Sequence, residues 1–238
     1  TMTRLEDVYE KYRPKRRTRA TIAREKGLEP LARMILEPET GMNLEKEAAG
    51  FIGPDVASLD EAWAGARDII AEIINEDASI RSGIRDLFIK TALIHATVIK
   101  GKADDGTKFK DYFDWEEPAF KAPSHRIHAI LRGAAEKVLR VHVLPDEKKA
   151  LTIIHGIYPG KRNACPHSRE QIVEAARDAY KRLLSKSIEN EALRTLKQKA
   201  DEKAVAVFSD NLRQVLLSPP LGGRPVLAVD PGFRTGCK

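Results

Sequence analysis

The stretch SLDEAWAGARDIIAEIINED, residues 58–77, carries the clearest fold signal in the 238-residue sequence. Ser58 precedes Glu61 by three residues, which is the spacing of a capping box at the start of a helix. Apolar side chains then recur every three or four positions, at Ala62, Ala66, Ile69, Ile70, Ile73 and Ile74. Because this period places them on one face of a helix, the stretch predicts an amphipathic helix packed against a core.

Similar patterns continue after this helix. Asp77 starts a second helix, whose apolar periodicity lasts until the stretch GKADDG, residues 101–106, interrupts it. A third helix is predicted from residue 124 to about residue 136. Between residues 138 and 144 apolar and polar side chains alternate, which predicts a short β element. A strand in isolation must find a partner strand elsewhere in the chain.

Two further helices are predicted in the second half. Ser168 and Gln171 have the spacing of a second capping box. Another helix begins near Ser187 and runs for about 30 residues until the stretch SPPLGG, residues 218–223. Prolines cannot continue a helix and glycines let the backbone turn, so a domain boundary is expected there. The chain is therefore predicted to be mainly α, a multi-helical scaffold.

Composition excludes several classes of protein. The residues are 42% hydrophobic and 32% charged, which suits a folded core. No run of about 18 apolar residues and no signal peptide is found, so we expect a cytoplasmic protein without a membrane partner. Cys165 and Cys237 are too few for a disulfide framework or a four-thiolate site. No metal and no cofactor are predicted.

The densest charge cluster is KYRPKRRTRATIAREKG, residues 11–27, with eight cationic residues and a single acid, Glu25. In one interpretation, Thr18 or Thr21 caps a helix that presents arginines to a phosphate backbone. The candidate nucleic-acid-binding residues are then Lys15, Arg16, Arg17, Arg19 and Arg24. In the other interpretation, these cations lie on a solvated loop and pair with acids elsewhere in the fold. The net charge of +6 does not decide between them.

The last stretch of the sequence is VLAVDPGFRTGCK, residues 226–238. Residues 226–230 have the composition of a strand buried on both faces, with Asp230 at its end. The glycine spacing does not match a P-loop, which excludes that kind of nucleotide site. In metal-assisted phosphodiester chemistry, carboxylates hold two cations around the phosphate, so Asp230 is a candidate metal ligand of an incomplete site.

Several stretches resemble, in the same order, the Tex family of bacterial transcription accessory proteins. They are LEDVYEKYRPKRRTRATIAREKGLEPLA (residues 5–32), ARDIIAE (66–72), GTKFKDYFDWEEP (106–118), PSHR (123–126) and DEKAVAVFSDNLRQVLL (201–217). The last stretch of the chain resembles the first strand of the family's YqgF domain, which is RNase H-like. The stretch LRGAAEKVLRV, residues 131–141, departs from the family pattern R-G-E-K-E-G at Ala134, Ala135 and Lys137.

The resemblance implies that residues 1–222 are the helical N-terminal and central region, with a helix-turn-helix element, and that residues 223–238 begin a truncated YqgF domain. It implies a nucleic-acid-binding transcription accessory factor in which this region is a noncatalytic helical scaffold. RNA or DNA would be bound mainly through an OB-fold domain outside this region, and RNA polymerase is a further expected partner. Two alternatives stay open: part of an RNase H-like structure-specific nuclease that uses Asp230, or a protein-interaction scaffold docking on the transcription machinery. Without sheet neighbours, the strand at 226–230 is expected to fray.

Overall fold

The computed structural model describes Tyr9 and residues 17–39, 41–158, 166–220, 222–232 and 236–237. The fold is mainly α, as predicted. The helices are α1 (Arg19–Glu25), α2 (Glu29–Leu36), α3 (Leu44–Ala49), α4 (Leu59–Glu76), α5 (Ala78–Thr91), α6 (Ser124–Ala135), α7 (Glu147–Ile157), α8 (Pro166–Asp178) and α9 (Ser185–Leu216). A π-helical segment, Ala179–Leu184, joins α8 to α9. In these described ranges, no helix combines the length and the hydropathy of a membrane-spanning segment.

Helix α4, which corresponds to the stretch at 58–77, lies at the centre of the helical core. The Ser58 hydroxyl accepts a hydrogen bond from the Glu61 N–H at 3.2 Å, which confirms the predicted N-cap. Helices α1, α2, α3, α5 and α8 all pack against α4. Its buried residues are Ala62, Trp63, Ala66, Ile69, Ile70, Ala71, Glu72 and Ile74. A helix with so wide a buried surface contacts several neighbours at once, so α4 positions the other helices around it.

Three antiparallel strands form a small sheet: β1 (Leu93–Val98), β2 (Asp114–Pro118) and β3 (Leu139–Leu144), in the order β2-β1-β3. The β element predicted between residues 138 and 144 is confirmed as β3, and its partner is β1. The inner face of the sheet buries Ile94, Ala96 and Val143, and β3 packs against α6 and α9. The outer face is open to solvent.

Strand β1 corrects one prediction. The sequence pattern predicts a helix from Asp77 until residue 101, whereas α5 ends at Thr91 and β1 follows almost at once. The side chains of Ile94 and Ala96 are buried and those of their neighbours are not, which is the period of two that a strand requires. A short apolar run does not by itself distinguish a strand from a helix, and pairing with β2 and β3 makes the difference here.

Residues 166–216 form one continuous helical rod, which corrects one more prediction. The capping box at Ser168 is not formed: α8 begins at Pro166, and the buried Ser168 hydroxyl donates to the Ile35 carbonyl oxygen at 2.7 Å. The helix predicted to begin near Ser187 and to run for about 30 residues is confirmed as α9 (Ser185–Leu216, 32 residues), which continues α8 through the π segment. A π turn widens the helix and so changes the direction in which the following side chains point. Before the π segment, α8 packs against α4; after it, α9 packs against α5, α6 and β3.

The predicted strand at residues 226–230 is not formed. These residues have no regular secondary structure and are exposed, with Leu227 91% exposed. No strand in the described part of the chain lies beside them to supply hydrogen bonds, which agrees with the expected fraying. Two short strands, β4 (Pro231–Gly232) and β5 (Gly236–Cys237), pair with each other immediately afterwards.

Helix α6 meets β3 at a close junction. A Cβ atom added to Gly133 would lie 2.6 Å from the Cδ1 and 2.8 Å from the Cγ of Leu139. In the connection between the two elements, Lys137 has a φ of 58°, in the left-handed region that disfavours a side chain. The family pattern R-G-E-K-E-G has glycine at this position, which fits the observed backbone. The approach of β3 to α6 therefore depends on the missing side chain at Gly133.

We predict that Gly133→Ala lowers the free energy of unfolding by about 1–2 kcal/mol, measured by urea denaturation. With two atoms closer than 3.0 Å to the added Cβ, we take the overpacking cost in the upper half of its usual range, about 2–3 kcal/mol, which exceeds by about 1–2 kcal/mol the roughly 1 kcal/mol that alanine gains over glycine inside a helix. The control is Gly156→Ala in α7, where nothing lies within 4 Å of the added Cβ. The control should gain stability, and an equal gain for both variants would contradict the close junction.

Candidate nucleic-acid interface

Helix α1 begins where the sequence predicts a cap. The Thr18 hydroxyl accepts a hydrogen bond from the Thr21 N–H at 3.0 Å, so Thr18 is the N-cap. A three-residue turn then joins α1 to α2, with Gly27 at a φ of 76°. Two helices joined by a three-residue turn containing glycine have the connection typical of a helix-turn-helix element, whose presence stays a prediction. The described part of the basic block, residues 17–27, therefore comprises the cap of α1, the helix itself and the beginning of the turn after it.

The most consequential contact of this helix is with a buried acid on α4. The Glu72 side chain is only 8% exposed, and the Arg24 Nη1 donates to its Oε2 at 2.5 Å. The Thr18 hydroxyl donates to the other carboxylate oxygen at 3.1 Å. A buried carboxylate requires a cation and hydrogen-bond donors to offset its lost hydration. Arg24 and Thr18 therefore attach α1 to α4.

Two other cations of the block are also paired. The Lys26 Nζ donates to Glu61 Oε1 at 2.5 Å, and the other Glu61 oxygen accepts the Ala57 N–H at 2.9 Å. The hydrogen bond from Lys26, together with that from Ala57, lowers the pKa of Glu61. Arg17 pairs with Glu25 at 2.7 Å, but both side chains are more than half exposed. Water screens an exposed pair of this kind, so it holds Arg17 only weakly.

Arg19 differs from its neighbours because, within the described residues, its side chain forms no hydrogen bond or ion pair. It is exposed and lies near Asp68 of α4. Burial raises the pKa of Asp68, and the charges of Arg182 and Arg19 oppose that rise. Arg182 itself donates to Asp68 at 3.0 Å, so Asp68 has a partner without Arg19. Arg19 is therefore available to a ligand.

The structure describes three of the five predicted binding residues, with Arg17 and Arg19 at the start of α1 and Arg24 in its last turn. Arg17 and Arg19 are exposed, whereas Arg24 faces the buried Glu72. Lys15 and Arg16 lie outside the described residues. The second interpretation of the block, in which its cations pair with acids elsewhere in the fold, applies to Arg24 and Lys26. A role of these five residues in binding nucleic acid stays a prediction.

Sequence reasoning did not identify a second group of cations, Lys100, Lys137 and Arg140, which we call the β1–β3 cations. Arg140 lies opposite Thr97 in the register of β1 and β3, and the two lysines lie just beyond the ends of these strands. All three side chains are exposed, and none has a hydrogen-bond or ion-pair partner in the described part of the chain. Only the pairing of β1 with β3 brings Lys100 opposite Lys137, one step beyond the hydrogen bond from the Ile99 N–H to the Val138 carbonyl oxygen, whereas Arg140 lies on the outer face of β3.

Asp230, the candidate metal ligand, is exposed in the segment that precedes β4. Among the described residues, no three His, Cys, Asp or Glu side chains are grouped so that they hold a metal ion. His128, one of the histidines on α6, lies 3.7 Å from Asp201 of α9. A role of Asp230 in metal binding stays a prediction.

Comparison with known proteins gives consistent matches along the chain. Residues 39–208 match the family model described as Tex central region-like. The chain is 39% identical to Protein tex of Bordetella pertussis, over 100% of this chain and 32% of that protein. It is 38% identical to Transcriptional accessory protein Tex of Neisseria gonorrhoeae, over 99% of this chain and 31% of that protein. It is 31% identical to S1 RNA-binding domain-containing protein 1 of Homo sapiens, over 93% of this chain and 23% of that protein.

The chain therefore spans about a third or less of the length of these relatives.

We predict that Arg24→Ala lowers the free energy of unfolding by about 2–4 kcal/mol, because it removes a charged partner from a buried carboxylate. The matched control is Arg17→Ala, whose exposed ion pair should contribute less than about 1 kcal/mol. Urea denaturation of both variants measures the difference. Similar small losses for the two arginines would show that the contact with Glu72 does not hold α1 in place.

Proposed function

Because this chain belongs to the Tex family, we propose that it is a noncatalytic helical scaffold within a nucleic-acid-associated transcription accessory factor. The observation that carries the scaffold role is the attachment of α1 to α4 through Arg24 and the buried Glu72. Two cations of the basic block, Arg24 and Lys26, thus form ion pairs that join the α1 segment to α4. The scaffold keeps α4 and the long rod of α8 and α9 in a fixed arrangement, from which further domains of a longer protein would extend.

Association with nucleic acid has three supports. The relative from Neisseria gonorrhoeae is named a transcriptional accessory protein, and the human relative is named for an S1 RNA-binding domain. The chain has a net charge of +6 and a pI of about 9.2. Exposed Arg17 can exchange its weak ion pair with Glu25 for a phosphate contact, and the exposed Arg19 side chain has no ion pair to give up within the described residues. We therefore propose binding that is weak, independent of sequence and steeply dependent on salt.

A second candidate function is docking on the transcription machinery, with RNA polymerase as the proposed partner. The observation in its favour is a row of exposed apolar side chains on the part of α9 that extends beyond the core, namely Val205, Phe208, Leu212 and Val215. Purified polymerase that stays bound after nuclease treatment, and is released by Phe208→Ser, would support this candidate. Polymerase that leaves with the nucleic acid would instead support bridging by nucleic acid.

The primary proposal is tested by titrating single-stranded RNA, single-stranded DNA and duplex DNA over a range of salt. We expect binding to all three, and we expect Arg16→Ala, Arg17→Ala and Arg19→Ala together to reduce the salt slope on a single strand by about 2, since each contact contributes about 0.7. An unchanged salt slope would show that these three arginines do not contact the nucleic acid.

The same samples, incubated with Mg²⁺, test the noncatalytic part of the proposal. We expect the nucleic acids to stay intact. Cleavage that Asp230→Ala abolishes would contradict a noncatalytic scaffold and would support the nuclease alternative.

A further inference from the structure

We propose that His95, His142 and Glu116 bind a Zn²⁺ ion on the outer face of the sheet. The three residues lie in one row across the three strands. Two histidines and one glutamate, with water in the fourth position, are a common ligand set for Zn²⁺ in proteins. This inference goes beyond the proposed function and does not depend on it.

The strand register places the three side chains next to one another. His95 lies on the central strand β1, opposite Glu116 of β2 and opposite His142 of β3. Residues that face each other across antiparallel strands project from the same face of the sheet, with Cβ atoms about 5 Å apart. The neighbouring residues Ile94 and Val143 are buried on the inner face, so the row lies on the outer one. The His95 and His142 side chains are 43% and 51% exposed, which leaves them open to an ion from solvent.

A carboxylate faces one ring nitrogen of each histidine. The His142 Nδ1 lies 3.1 Å from Oε1 of Glu189, and the same oxygen accepts the Val143 N–H at 2.9 Å. The His95 Nε2 lies 3.5 Å from Oδ1 of Asp114. A histidine that binds a metal usually directs its other ring nitrogen to a carboxylate, which fixes the orientation of the ring and raises the basicity of the ligating nitrogen. This arrangement leaves Nε2 of His142 and Nδ1 of His95 for the metal.

These two nitrogens suit an ion held above β1. The Nδ1 atom is the ring nitrogen nearer to the backbone, so His95 reaches an ion close above its own strand. Strand β3 lies about 4.8 Å to the side, and His142 must span this distance with the nitrogen at the far end of its ring. Each Zn–N bond adds about 2.0–2.1 Å to the reach. The near nitrogen on the central strand and the far nitrogen on the flanking strand therefore approach the same point.

Glu116 approaches that point from the opposite side. Its side chain is exposed and has no hydrogen-bond or ion-pair partner in the described part of the chain. Among the described residues, no three ligands converge on one point in their present side-chain positions. Binding therefore requires the Glu116 side chain to rotate toward His95, and this rotation breaks no internal contact. The side of the ion that faces solvent is left to water.

The charges around the row favour a cation. The row forms part of a groove of about 530 Å³ that is also lined by Asp146 and Lys149. Four carboxylates border the row, against two cations on the side of β3; the carboxylates are Asp114, Glu116, Asp146 and Glu189, and the cations are Arg140 and Lys149. An excess of negative charge attracts a divalent cation. The groove is open, so hydrated Zn²⁺ can enter from solvent.

The test is a Zn²⁺ titration of the 238-residue chain by isothermal calorimetry. Every variant also carries Cys165→Ser and Cys237→Ser, because thiolates bind Zn²⁺ themselves. We expect one equivalent of Zn²⁺ to bind. We expect His95→Gln and His142→Gln each to lower the affinity about 100-fold, and Glu116→Gln to lower it about tenfold.

The matched control is His167→Gln at the start of α8. The His167 Nε2 lies 2.9 Å from Oε1 of Glu45, so this histidine is also exposed beside a carboxylate. We expect His167→Gln to bind Zn²⁺ as well as the parent chain does. Glu189→Gln tests the orientation of His142: its amide oxygen can still accept the Val143 N–H, and we expect the affinity to fall about tenfold.

Nuclear magnetic resonance provides a second measurement that does not depend on affinity. We expect Zn²⁺ to shift the Cε1 proton resonances of His95 and His142 and to leave that of His167 in place. Absence of Zn²⁺ binding, unchanged affinity in His95→Gln and His142→Gln, or an equal loss in His167→Gln would overturn the proposal. Unchanged affinity in Glu116→Gln would overturn its assignment as the third ligand. The titration contains no nucleic acid, so its result is separate from that of the proposed function.

Discussion

The buried carboxylate of Glu72 constrains the helical half of this protein. Its side chain lies within α4, where it is 8% exposed, and a charge in that position requires a cationic partner. Arg24 and Thr18 meet this requirement from α1, at the two ends of that short helix. The turn into α2 follows directly, so fixing α1 also fixes where α2 approaches α4 and α8. One polar contact thus orients helices whose apolar surfaces alone would permit several arrangements.

Because Arg24 is paired with Glu72, the number of cations in a stretch of the sequence is larger than the number that can contact a ligand. Residues 11–27 contain eight cations, yet Arg24 and Lys26 are held by carboxylates of α4. The β1–β3 cations are sparse in the sequence, but all three side chains are exposed and unpaired in the described part of the chain. Phosphate binding depends on available charge, so for the proposed association with nucleic acid the residues to test are the exposed arginines at the start of α1 and not Arg24 or Lys26.

The features that the sequence predicted well are local ones. The Ser58 cap, the Thr18 cap and the buried face of α4 each depend on residues three or four positions apart. The features that it missed depend on distant partners: β1 is a strand because β2 and β3 pair with it, and Ser168 binds the Ile35 carbonyl in place of its own helix. The proximity of Lys100 to Lys137 likewise follows from strand register, which no local pattern contains.

Native-state hydrogen exchange of the amides in α1 tests most directly whether Glu72 holds this helix to α4. We predict that the protected amides of α1 and α4 open with the same free energy, as one cooperative unit, and that Glu72→Gln lowers both by the same amount. Amides of α1 that exchange through a much less costly opening, while α4 stays protected and Glu72→Gln leaves α1 unchanged, would contradict the attachment.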